Sequence, residues 1–210
     1  MKKSILLITI CFLSVTVGYS QDWSNYRIGV LYPGYVIKND GTKIEGYIYS
    51  QIRASALHLG LWNDNQTRVA FYTDPQDRNS RMVFTPEDLK EYMINGKIYR
   101  SMNFSGGLSS RAMRFLLLVR DGRISQYVWY ENIGTDTHPN FREKTVIRRG
   151  TETPIEISTL TLNFSRRVSE LVRGYPELAA RVARRERGYR LLNLFQIIEK
   201  YNEWYSQKNN

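Results

Sequence analysis

From Tyr32 to about Ile157 the chain alternates short apolar runs with turn dipeptides, a pattern that predicts a β-rich region built from hairpins. Tyr35–Lys38 and Ile44–Tyr49 flank Asn39-Asp40-Gly41, residues that tolerate the positive φ of tight turns. Tyr92–Ile94 and Ile98–Tyr99 flank Asn95-Gly96 in the same way, and Arg114–Arg120 and Arg123–Tyr130 flank Asp121-Gly122. Phe115–Val119 is apolar on both faces, so its strand is expected at the centre of the sheet. Shorter strands are predicted at Arg68–Tyr72, Arg81–Phe84 and Pro154–Ile157, where β-branched and aromatic residues cluster. Asn103–Ser110 and Asn132–Gly150 lack periodicity and are expected to be surface loops.

After Thr161 the period lengthens. Leu171 and Val172 close one apolar face, and Pro176 suits the first turn of a new helix. Leu178, Val182, Tyr189, Leu192, Phe195, Tyr201 and Tyr205 then fall near helical spacing as far as Tyr205, with Gly188 as a point of division. An amphipathic helix cannot hide its stripe alone, so these helices are expected to pack on the β region or on one another. The fold class is therefore α+β: an antiparallel, hairpin-rich sheet, as a curved barrel or sandwich, followed by a helical C-terminal region packed on it.

Lys2 and Lys3, the apolar stretch Ile5–Val17 and Gly18-Tyr19-Ser20 follow the order of a cleavable secretory signal peptide, residues 1–20. The apolar run is shorter than the ~20 residues that span a bilayer. Residues 21–160 then form the β-rich domain and 161–210 the helical region of the same globular unit. Ile10 precedes Cys11 where a lipoprotein signal wants a small residue. Cys11 is the one cysteine of the chain and leaves with the leader, so disulfides and thiolate metal ligands are excluded from the mature protein. Loss of Lys2 and Lys3 takes the formal charge from +10 to +8, a balance that favours acidic partners; export argues against nucleic acid.

Several segments carry a resemblance. Gly34-Tyr35-Val36-Ile37-Lys38-Asn39-Asp40-Gly41 with Ile44-Glu45-Gly46, then Phe84-Thr85-Pro86-Glu87-Asp88-Leu89 and Gly96-Lys97-Ile98-Tyr99, resemble a group of uncharacterised secreted proteins of Bacteroidota. Phe115-Leu116 before Asp121-Gly122, Tyr175-Pro176-Glu177-Leu178 and Tyr201-Asn202 extend the likeness over most of the mature chain. Tyr175 stands where some of that group have a cysteine. The resemblance implies a bacterial envelope setting and supplies no catalytic residue. In a bacterium the sequons at Asn65, Asn103 and Asn163 are ordinary sequence.

Enzyme signatures are sparse. The two histidines, His58 and His138, have no spacing that suits zinc, and no Gly-x-Ser-x-Gly or Gly-x-x-x-x-Gly-Lys occurs. Ser101, Ser105, Ser109, Ser110 and Gly106-Gly107 read as loop chemistry, and Asp74 and Asp77 lack the remainder of a calcium loop. No cofactor or metal is expected. Glu45, Glu87, Asp88, Glu91, Glu131 and Glu156 leave open a glycan hydrolase built on two acids from distant strands.

Binding features are more visible. Tyr127 and Trp129 share one face of their strand, opposite Val128 and Tyr130, and form either an aromatic binding face or a packed one. Arg181, Arg184, Arg185, Arg187 and Arg190, with Arg166, Arg167 and Arg173 nearby, make a candidate anion-binding patch, since guanidinium pairs well with phosphate and carboxylate. Its structural alternative is a solvated helix face. The function expected is a non-catalytic binding or structural role in the periplasm or at the cell exterior. The alternatives are the glycan hydrolase and a peripheral binder of anionic lipid or polysaccharide.

Overall fold

The computed structural model describes residues 26–54, 61–105, 112–134 and 140–209. The signal-peptide reading of residues 1–20, both histidines, Ser109, Ser110 and Gly106-Gly107 lie outside the described residues. The strands are β1 (Leu31–Lys38), β2 (Lys43–Tyr49), β3 (Ile52–Ala54), β4 (Leu61–Asn63), β5 (Val69–Tyr72), β6 (Arg81–Phe84), β7 (Leu89–Ile94), β8 (Lys97–Phe104), β9 (Ala112–Arg120), β10 (Ile124–Asn132), β11 (Phe141–Arg149) and β12 (Ile155–Glu156). The helices α1 (Phe164–Leu171), α2 (Pro176–Ala183) and α3 (Leu194–Asn209) follow. No helix among the described residues is long and apolar enough to cross a membrane.

The α+β class is as the pattern predicts. Ten strands pair antiparallel in the order β12-β11-β10-β9-β8-β7-β1-β2-β5-β6, and the sheet stays open between the edges β12 and β6 rather than closing as a barrel; β3 and β4 pair separately. Asn95 at φ 46° and Gly96 at φ 82° make the left-handed turn that joins β7 to β8, as the dipeptide predicts. Gly122 differs. It is not in the left-handed region, and a Cβ there would lie 2.5 Å from Asn202 Nδ2, so glycine is needed for room.

Two expectations are corrected. Asn132–Gly150 is not a loop, because β11 occupies nine of its residues in full register with β10. The period was masked by Lys144 and Arg149, which take buried positions. Lys144 pairs with Glu131 at 2.8 Å and Glu156 at 3.5 Å, and Arg149 pairs with Glu152 at 2.6 Å and donates to the Leu171 carbonyl at 2.9 Å. Partnered charge is the condition for burying such groups. The run Pro176–Tyr205 divides around Gly188 as expected, into two helices separated by residues 184–193 with Gly188 at φ 85°, and the second correction lies in that division. Leu192 falls in the tight turn before α3, and at 98 % exposure it lies outside the buried stripe.

One face of the sheet packs Val36, Ile48, Phe71, Tyr92, Tyr99, Phe115, Val128 and Tyr130 into the main core. A second cluster joins Ile124 and Ile147 to the helices through Leu171, Val182, Ile198 and Tyr201. Burial of each such side chain contributes roughly 1.5–3 kcal/mol. Side-chain amides clasp β10 at both ends. The β9–β10 ladder runs from Gln126 to Val128. Beyond it Gln66 accepts from the Tyr130 N–H at 2.8 Å and donates to its carbonyl at 2.9 Å. Asn202 on α3 accepts from the Ile124 N–H at 2.8 Å and donates to its carbonyl at 2.9 Å. Each amide supplies both partners that an adjacent strand would have given.

Candidate functional site

The alternation along β10 is as predicted, with Tyr127 and Trp129 on the face opposite Val128 and Tyr130. The face is packed, not open. Tyr127 is 3 % and Trp129 7 % exposed, in a cluster with Met102, Phe104, Leu116 and Val146. Phe104 meets the Trp129 ring edge-on at 5.5 Å, and the Arg114 guanidinium lies 4.9 Å from its centroid. These rings therefore hold β8 to β11 together, and no ring face is left for a ligand to stack on.

The strand acids are committed as well. Glu91 receives Arg100 Nε at 2.8 Å and the Tyr35 hydroxyl at 2.7 Å. Burial, followed by this bond to Glu91, pushes the Tyr35 phenol up to about 12. Arg100 also reaches Asp121 at 2.8 Å, and its hydrogen bond holds the Asp121 carboxyl below the usual range. Glu131 and Glu156 come together, but across Lys144. None of these acids lines the clefts described below.

The five arginines of the predicted patch divide between two sides of the helical region. Arg181 and Arg184 both bind Glu186, at 2.9 and 2.7 Å. The hydrogen bonds from Arg184 and then Arg181 hold the Glu186 carboxyl below the ordinary glutamate range. Arg181 also lies 4.3 Å from the Tyr189 ring centroid. Arg187 is exposed.

Arg185 and Arg190 line a cleft of about 500 Å³ together with Thr161, Asn163, Phe164, Ser165 and Leu191. No carboxylate is among these residues. The elements that shape it have unusual backbones. The end of α2 is a Schellman turn, in which the Arg185 N–H donates to the Val182 carbonyl at 3.0 Å and the Glu186 N–H to the Arg181 carbonyl at 3.2 Å. The position in its left-handed bend is the one glycine normally takes, yet it holds Arg185 at φ 55°. Across the cleft Asn163 precedes α1 at φ 63°, and its side chain makes no cap bond to the helix. Among the described residues three non-glycines have positive φ: Asn95 serves the hairpin, and the other two meet in this cleft. Arg185 Nε donates to Ser165 Oγ at 3.3 Å, which turns its guanidinium towards α1.

The arrangement offers guanidinium donors, a hydroxyl and an amide around a space without a competing acid, the chemistry of an oxyanion site. Sequence reading picks out Arg185 and Arg190 but marks Asn163 only as a sequon and gives Ser165 no role. A second cleft, of about 290 Å³, lies between α2 and α3 and is lined by Tyr175, Glu177, Arg181, Tyr189, Lys200, Glu203 and Trp204, among others. Tyr175 stacks on Trp204 at 4.9 Å there. No group of three or more His, Cys, Asp or Glu among the described residues is arranged to hold a metal ion.

No family model, curated protein or solved structure matches this chain.

Proposed function

We propose that the protein is a non-catalytic binding module of the bacterial cell envelope, working after export and holding an anionic partner in the Arg185–Arg190 cleft. One observation carries the reading: two left-handed non-glycine residues, Asn163 and Arg185, face the same acid-free cleft. Such backbones are retained where the structure gains something from them. The signal-like N-terminus, the basic balance of the helical region and the likeness to secreted Bacteroidota proteins support the setting.

The test is salt-dependent binding of the mature protein to its own envelope fraction, comparing wild type with Arg185→Ala/Arg190→Ala and with Arg184→Ala. The double variant loses binding, while Arg184→Ala changes little because Glu186 already holds that side chain. Equal retention by all three proteins would remove the reading.

A second reading, hydrolysis of glycans by paired acids, draws on the α2–α3 cleft, where Glu177 and Glu203 stand beside the Tyr175–Trp204 stack. Turnover of an envelope glycan that is abolished in both Glu177→Gln and Glu203→Gln would establish it.

A further inference from the structure

The face of the sheet turned away from the main core carries another cleft, at the β6 edge and independent of the helical arginines. It measures about 560 Å³ and is lined by Tyr49, Gln51, Arg68, Ala70, Tyr72, Arg81 and Val83. Strand register explains the grouping. Ala70 pairs with Val83 and Tyr72 with Arg81, while Tyr47 pairs with Tyr72, which carries Tyr49 to the same face two residues on. Ala70, the smallest of these residues, forms the floor between larger neighbours.

The charge is one-sided. Arg68 and Arg81 are exposed, no acid lines the cleft, and neither arginine forms an ion pair among the described residues. Two like charges facing one space raise its positive potential and favour an anionic occupant. The walls narrow the choice further. Tyrosine rings offer flat apolar faces with a polar tip, and Gln51 both donates and accepts. Val83, 47 % exposed, is the one aliphatic wall of any size, too little for acyl chains. The volume lies within the range of small-molecule sites.

We propose that this cleft binds an acidic saccharide, with a sugar ring against Tyr49 and Tyr72 over Ala70 and carboxylates at the Arg68 and Arg81 ends. The guanidinium fork matches a carboxylate, and the ring faces match the C–H face of a pyranose. Gln51 serves the hydroxyls.

The experiment is calorimetric titration of the mature protein with a uronic-acid trisaccharide and with its carboxyl-reduced, neutral counterpart. The acidic sugar binds, and the neutral one binds about tenfold weaker or worse. Arg68→Gln/Arg81→Gln brings the acidic sugar down to the neutral level, Ala70→Phe fills the floor and removes both, and Arg185→Ala/Arg190→Ala changes neither. All the arginines substituted are exposed, so the fold survives their loss. The proposal is overturned by no binding, by equal binding of the two sugars, by retention in the Arg68/Arg81 variant, by loss in the Arg185/Arg190 variant, or by inorganic phosphate or a nucleoside monophosphate competing at lower concentration than the trisaccharide.

Discussion

Replacing Arg185 by glycine separates stability from binding, because the two respond in opposite directions. An L-residue in the left-handed region costs roughly 1–2 kcal/mol. Glycine removes that cost but gives back roughly 0.5–1 kcal/mol through its freer unfolded chain. The bond to Ser165 is exposed and 3.3 Å long, so its loss is minor. The net is a gain of about 0.5–1 kcal/mol, which in a domain of this size raises Tm by roughly 1–4 °C. Loss of the guanidinium meanwhile removes a charge-assisted bond to the anion, about tenfold or more in affinity. Arg185→Ala is the necessary companion, since it deletes the same side chain and keeps the strained φ. Differential scanning calorimetry at one pH and salt concentration, with anion titrations on the same samples, reads both quantities. If Arg185→Gly melts no higher than Arg185→Ala, the strain argument is wrong; if both bind as wild type does, the cleft is not the site.

Glu186→Gln frees Arg181 and Arg184 from their shared carboxylate, so binding to an anionic column strengthens and elutes at higher salt. The Glu186 carboxyl is held low in the fold, so its contribution is present above the ordinary glutamate range and fades as pH falls through the lowered value; the variant lacks that acid loss in a pH series of melting curves. Gln66→Ala strands the N–H and carbonyl of Tyr130 in the interior and costs about 2–4 kcal/mol in urea unfolding. The Tyr35 phenol is raised in the fold, so the stability linked to it is full below about pH 10 and declines as pH climbs towards 12. Tyr35→Phe removes that alkaline component, and an unchanged decline in the variant would assign it to other tyrosines.

The hairpins were legible because turn chemistry is local: Asn95-Gly96 states its own backbone. β11 was not, since Lys144 and Arg149 hide inside it by pairing with Glu131, Glu156 and Glu152, partners that adjoining strands and turns supply. Leu192 misled in the opposite sense, an apolar residue in helical phase that the turn at Leu191–Asn193 turns out to solvent. Composition pointed to the arginines as a group. Their division did not follow from it, because Glu186 neutralises two of them through a bend that only the folded α2 terminus creates. The β6-edge cleft was invisible for a related reason, as Tyr49, Arg68 and Arg81 are strangers in sequence until β2, β6 and the approach to β5 place them around one cleft.

The amide clasps on β10 give the sheet a joint with a catch at each end. Between the half that ends in β9 and the half that carries the helices, the zip is three residue pairs long, and Gln66 and Asn202 fasten what lies beyond it. Each catch belongs to a different neighbour, one to the turn after β4 and the other to α3. Hydrogen exchange at the Tyr130 amide therefore times the first catch and exchange at Ile124 the second, so one strand reports separately on how firmly each layer is shut against it.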